Sequence, residues 1–224
     1  MSRKLPAVIA SLCLLTACSG SGTQESSTST STAARTDSNR AALLPLRTSD
    51  LPTGFAAIDV RATAPMVMIS QCLPSLLTAN ATQIGETFVR DDDEISSQSY
   101  VVDSTNAARD VMTTLSDPNI QTCLSNLLQA EFDASRVKHG VQDVPTTASM
   151  GVHDAAAVQM RLVAARSDAG MTQTVATGDL LLCQSDRSVT AVWVNWFPGS
   201  PDPATENTLI TALRARATAA FSEP

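Results

Sequence analysis

The chain has 224 residues, a formal charge of −7 and a hydrophobic share of 43%. Its acidic balance, with lysine only at Lys4 and Lys138, argues against nucleic acid or direct attachment to anionic lipid headgroups. That length and apolar content suffice for one packed domain needing neither a structural metal nor dense disulfides.

Arg3 and Lys4 precede an apolar run from Leu5 to Leu15, broken only by Pro6 and Ser11. The run is shorter than the ~20 residues a membrane-spanning helix needs, and its charged start is that of a secretory leader. It closes on Leu15-Thr16-Ala17-Cys18, which resembles the lipobox of bacterial lipoproteins: an aliphatic residue, two small ones, then the cysteine. The resemblance implies removal of residues 1–17 and a diacylglyceryl group on the Cys18 thiol. The protein would then sit on the outer face of the cytoplasmic membrane, held by the lipid. Cys13 falls in the discarded segment. Losing Arg3 and Lys4 moves the mature charge to about −9. Arginine, alanine and threonine richness at the expense of lysine points to a high-GC, actinobacterial genome.

Residues 18–40 are mostly Ser, Thr, Gly and Ala, with almost no large apolar side chain. Such a segment cannot bury enough surface to offset its ordering entropy, so a tether is expected there. Residues 41–224 are expected to form a single domain.

Within it, the Pro- and Gly-punctuated stretch Leu43 to Phe55 is expected to pack at the domain edge. Ala56 to Ala62 reads as a strand. Met66 to Leu77 has helical spacing at Ile69, Leu73, Leu76 and Leu77, with a break at Pro74. Gln83–Arg90 and Ile95–Asp103 read as strands joined by the acidic turn Asp91-Asp92-Asp93-Glu94. Ser104 caps a helix carrying Ala108, Val111, Met112 and Leu115 on one face. Asp117-Pro118 opens another, with an apolar stripe of Ile120, Cys123, Leu124, Leu127 and Leu128. Ser135 to Met150 reads as a polar connection. Three strands follow, Ala155–Arg166, Thr172–Gln184 and Ser188–Phe197, with a bulge expected at Gly178-Asp179. Asp202-Pro203 opens a last helix with Leu209, Ile210, Leu213, Ala217 and Phe221 buried. The order β-α-β-β-α-α-β-β-β-α predicts an α+β fold, an antiparallel sheet of five to six strands covered mainly on one face by helices.

Cys72, Cys123 and Cys183 remain in the domain, in an oxidising compartment where one pair is expected. Cys72 and Cys123 both fall on predicted helices beside apolar neighbours and are paired, leaving Cys183 as a buried thiol. A pairing that includes Cys183 stays open. No Cys-x-x-Cys supports a redox role.

Catalytic chemistry finds little support. His139 and His153 are the only histidines, without an oriented carboxylate or a Gly-x-Ser-x-Gly nucleophile. Neither histidine has zinc-ligand spacing, and the acidic turn lacks the alternating ligands of a calcium loop. No enzyme activity, cofactor or metal is expected. Trp193, Trp196 and Phe197 gather on one strand, and alternation sends Trp196 to the face opposite the other two. They either pack in the core or line an apolar ligand groove.

Residues 43–221 resemble the actinobacterial extracellular sensor domain of PknH-type receptor kinases and free-standing lipoproteins. The matching stretches are Leu44-Pro45-Leu46 with Asp50-Leu51-Pro52-Thr53-Gly54-Phe55, Ser97 to Val102 running into Ala107-Ala108-Arg109, the helical Cys123, and Asp179 through Val194. The resemblance implies a disulfide-stabilised antiparallel sheet enclosing a cleft for a small ligand. This chain has no kinase segment and too few cysteines for the two disulfides of the kinase sensor. The expected function is a non-enzymatic lipoprotein binding a small apolar or amphipathic envelope ligand. The alternative is an accessory subunit of an envelope protein complex.

Overall fold

The computed structural model describes residues 35–58, 65–141, 143–199 and 203–222. The leader, Cys18 and the tether as far as residue 34 lie outside them, as do Asp202 and residues 59–62 of the expected first strand.

The described residues build a seven-stranded, wholly antiparallel sheet in the order β1-β2-β3-β7-β6-β5-β4. The strands are β1 (Ala56–Ile58), β2 (Ala81–Arg90), β3 (Asp93–Val101), β4 (Thr146–Asp154), β5 (Ala157–Asp168), β6 (Met171–Ser185) and β7 (Ser188–Trp196). The helices are α1 (Asp37–Ala41), α2 (Pro65–Cys72), α3 (Thr105–Thr114), α4 (Pro118–Lys138) and α5 (Pro203–Phe221). The α+β class holds, with one strand and one short helix more than the sequence order predicted.

Local chemistry explains most boundaries. Pro74 ends α2 and starts a 3-10 turn at Pro74–Leu76. The Ser104 hydroxyl accepts from Ala107 N–H at 3.1 Å and starts α3. Asp117 accepts from Asn119 N–H at 2.8 Å, and Pro118 occupies the first turn of α4, where its missing N–H costs nothing. The hairpins turn in two residues. Asp91 at φ 53° helps join β2 to β3, and Ala169-Gly170, both at positive φ, join β5 to β6. The acidic turn is therefore only Asp91-Asp92, since Asp93 and Glu94 already pair within β3.

Three expectations change. Thr146–Met150, expected as the end of the polar connection, and the unassigned residues 151–154 form the edge strand β4. Thr36 caps α1, which places residues 37–40 in the fold rather than in the tether. The bulge on β6 lies not at Gly178-Asp179 but at Val175, where Ala164 and Ala165 of β5 face Ala176 and Thr174.

The sheet is covered on both faces, not mainly on one. Helices α2, α3 and α4 enclose the larger core, in which Leu124, Leu128 and Phe132 of α4 pack on Leu162, Leu180 and Trp193. Helix α5 closes the other face, where Leu209 and Leu213 meet Leu181, Val192, Val194 and Trp196. Cys72 and Cys123 form a disulfide that ties α2 to α4, with Cα atoms 5.7 Å apart. Cys183 is a free, buried thiol, and burial pushes its pKa up.

Candidate functional site

The aromatic strand does not line a groove. Trp193 (2% exposed) and Phe197 (6%) belong to the core under the helices, while Trp196 (4%) lies in the core under α5. Alternation assigned the faces as observed, but α5 closes the face that could have been open. Phe197 also stacks on His139, ring centres 4.4 Å apart.

His139 ends α4 with Nδ1 3.4 Å from Asp92 Oδ1. His153 is exposed near the end of β4. The acidic stretch is likewise engaged structurally: Asp93, at the start of β3, pairs with Arg90 and accepts from Phe197 N–H at 3.1 Å. Among the described residues no three His, Cys, Asp or Glu side chains gather as a metal site.

The open ground lies at the opposite end of the same sheet face. Among the described residues strand β4 is the sheet edge, paired only with β5. The register sets Met150 beside Met160, and Val152 beside Val158, on the face that α3 and α4 approach. Helix α4 starts at the corner after α3, where Gln121 Nε2 donates to the Leu115 carbonyl at 3.0 Å. Its buried line Leu124, Leu128 and Phe132 then turns into the main core. The sheet edge beside its first turns stays uncovered.

Two adjoining hollows result. One, about 280 Å³, is bounded by Met112 and Leu115 from the α3 end and by Val152 and Val158 from the sheet. The second, about 340 Å³, lies between the polar side of α4, including Thr122, Ser125 and Asn126, and the strand residues Ala148 and Met160. Gln121 and Met150 border both. Ligand sites generally occupy ~300–1,000 Å³, a range the joined hollows reach. Methionine suits such walls because its unbranched, polarisable chain reshapes around an occupant. Val152 at the mouth is 71% exposed, an apolar side chain left in water.

The groove is thus apolar at the α3 end and hydroxyl- and amide-bearing along α4. The apolar end has two charged neighbours. Asp154 is held by Arg214 and by the Ala156 N–H, and the Arg214 hydrogen bond first of all lowers its pKa. Arg109, on the exposed side of α3, bonds Asn106 Oδ1 at 3.1 Å.

The sequence does not give up the groove because Ala148 and Met150 fall inside the expected connection and Val152 falls between it and the next expected strand. Their period-two spacing was the available signal.

No family model matches the chain, and no curated protein matches it. In structure it is similar to the extracellular domain of PknH from Mycobacterium tuberculosis, at 8% identity and a TM-score of 0.47, covering 82% of this chain and 97% of that one. It is also similar to LpqN of Mycobacterium tuberculosis, described as involved in cell envelope biogenesis, at 14% identity and a TM-score of 0.26, covering 72% and 74%. A third likeness is to the Ran-binding protein Mog1p of Saccharomyces cerevisiae, at 12% identity and a TM-score of 0.27, covering 77% and 84%. Likenesses this distant assign neither a ligand nor an activity.

Proposed function

We propose that the protein is a lipid-anchored extracytoplasmic lipoprotein whose domain binds a small apolar or amphipathic envelope ligand, without catalysing a reaction on it. The observation that carries this reading is the groove between β4 and the α3–α4 corner, with Met112, Met150, Met160 and exposed Val152 on its walls. Covering a Val side chain is worth up to ~1.5–3 kcal/mol, so an apolar occupant has a driving force here. The Cys72–Cys123 disulfide supports an oxidising compartment, the one the leader and Cys18 imply. Among the described residues no helix is long and apolar enough to cross a membrane, which leaves the lipid at Cys18 as the proposed attachment.

Mass spectrometry of organic extracts from gently purified protein tests the groove. Wild type should carry an amphiphile that Met150→Glu loses at least about tenfold, because an unpaired carboxylate in an apolar wall is costly. Equal and empty extracts from both proteins would sink the reading. Cys18→Ala should release the protein from the membrane fraction while its domain stays folded. Retention there would remove the anchor from the proposal.

One observation favours the second reading, an accessory subunit of an envelope complex. From Thr146 to Val152 the exposed edge of β4 contains no charge and no proline, the usual guards against strand addition. Under that reading a protein partner co-purifies, and Met150→Glu sheds the partner rather than a lipid.

A further inference from the structure

Among the described residues, the apolar hollow has one cation without a carboxylate. In a chain with an excess of acidic groups, most arginines are taken: Arg161 holds Asp179 and Glu206, Arg187 holds Asp37, Arg214 holds Asp154, and Arg216 holds Asp50. Arg109 makes no ion pair among the described residues, and its side chain is fixed only by Asn106, one helical turn earlier. It borders the hollow formed by Met112, Leu115, Val152 and Val158. The nearest acid in that wall, Asp154, is already committed to Arg214 on α5 and to the Ala156 backbone. Among the described residues the hollow therefore presents an apolar interior beside a single guanidinium without a carboxylate partner.

Resting on the ligand-binding reading above, we propose that the occupant is a single-chain amphiphile with an anionic head. Its hydrocarbon chain lies against Met112, Met150 and Val158, and its carboxylate or phosphate is received by Arg109. Two features set this chemistry. A guanidinium presents paired N–H donors that match the oxygens of a carboxylate or phosphate. A hollow of about 280 Å³ is at the small end for a ligand site, which suits one chain rather than two. The α4 side of the groove, with Thr122, Ser125 and Asn126, carries no charge of its own. The anionic end is therefore drawn to the α3 side, and the orientation of the bound molecule follows.

Calorimetric titration of the purified full chain with decanoate, 1-decanol and inorganic phosphate tests the assignment. Decanoate should bind about 5-fold more tightly than decanol at low salt, the scale of an exposed charge pair. The advantage should shrink at high salt because an exposed guanidinium is screened. Arg109→Gln should bring the two affinities together without weakening decanol, and Arg109→Lys should keep part of the difference. Equal affinities of wild type for acid and alcohol would overturn the anionic head while leaving the groove reading intact. Phosphate binding as tightly as decanoate would overturn the apolar half of the proposal. Binding of none of the three would overturn both this proposal and the ligand-binding reading.

Discussion

A methyl group placed on Gly178 would stand 2.8 Å from Phe132 Cδ2 and 2.9 Å from Trp193 Cη2. The absent side chain is thus a socket in the sheet, and two aromatic rings from α4 and β7 fill it. Neither ring has room to retreat, since Phe132 is fully buried and Trp193 is 2% exposed. Gly178→Ala should destabilise the protein by about 1–3 kcal/mol, the usual cost of overpacking a filled core. Urea unfolding would show this as a lower midpoint at unchanged slope. The double variant with Phe132→Leu should recover part of the loss, because the smaller side chain vacates the socket. An unchanged midpoint in Gly178→Ala would mean that α4 does not bear on the sheet as described. Trp193 thereby has a structural duty at the centre of the sheet, away from the groove.

At the scale of elements, α2 and α4 are joined by the only disulfide among the described residues. The bridge closes a loop of 51 residues between Cys72 and Cys123. In the chain-entropy account a loop of that size is worth about 4 kcal/mol through the unfolded state. Cys72→Ala/Cys123→Ala should therefore lower stability by up to that amount, read from urea midpoints with and without reductant. Reductant should affect wild type and leave the double variant unmoved, since Cys183 is already a free thiol. The pairing could be read from the sequence because both cysteines lie on amphipathic helices whose apolar sides must meet in one core. Capped helices were legible for a similar reason: Ser104 and Asp117-Pro118 act locally, and local chemistry survives in the chain. Strand β4 was not. Most of its residues are exposed, so no burial constrained its composition into a strong alternation. Gly178 was misread as a bulge because a glycine that admits neighbouring rings looks the same in sequence as one that bends a strand. The covered aromatic strand failed for a tertiary reason. Alternation separates Trp193 from Trp196, but whether a face is open depends on where α5 returns. The groove was hidden twice over, by the missed strand and by the corner between α3 and α4 that only packing creates.

Across the whole molecule, two ion pairs fasten the outer pieces to the body of the fold. Arg187, in the turn between β6 and β7, holds Asp37 of α1. Arg214 of α5 holds Asp154, where β4 turns into β5 at the end of the groove. Burial opposes ionisation of Asp37, yet hydrogen bonds from Arg187, Asn80 and Arg40 outweigh it and lower its pKa. For Asp154 the Arg214 hydrogen bond leads, followed by the Ala156 N–H. Both carboxyls thus titrate in the folded protein below the ~3.9 of an unfolded aspartate. The sign follows from proton binding: near and below that value the unfolded chain takes up more protons, so stability falls with falling pH. The contribution of these pairs is fully present above the unfolded value and disappears as pH drops through the lower, folded one. Wild type should lose urea resistance between pH 5 and pH 2, whereas Asp37→Asn and Asp154→Asn should each lose less over the same interval. The two variants should also fail differently. Asp37→Asn loosens the start of the domain, and hydrogen exchange should quicken at α1. Asp154→Asn frees the β4–β5 turn, so exchange should quicken there and release of the proposed amphiphile should accelerate, since that turn borders the apolar hollow. If acid weakened all three proteins equally, the clasps would contribute nothing, and the groove end would have to be held by packing around Met112 and Val158.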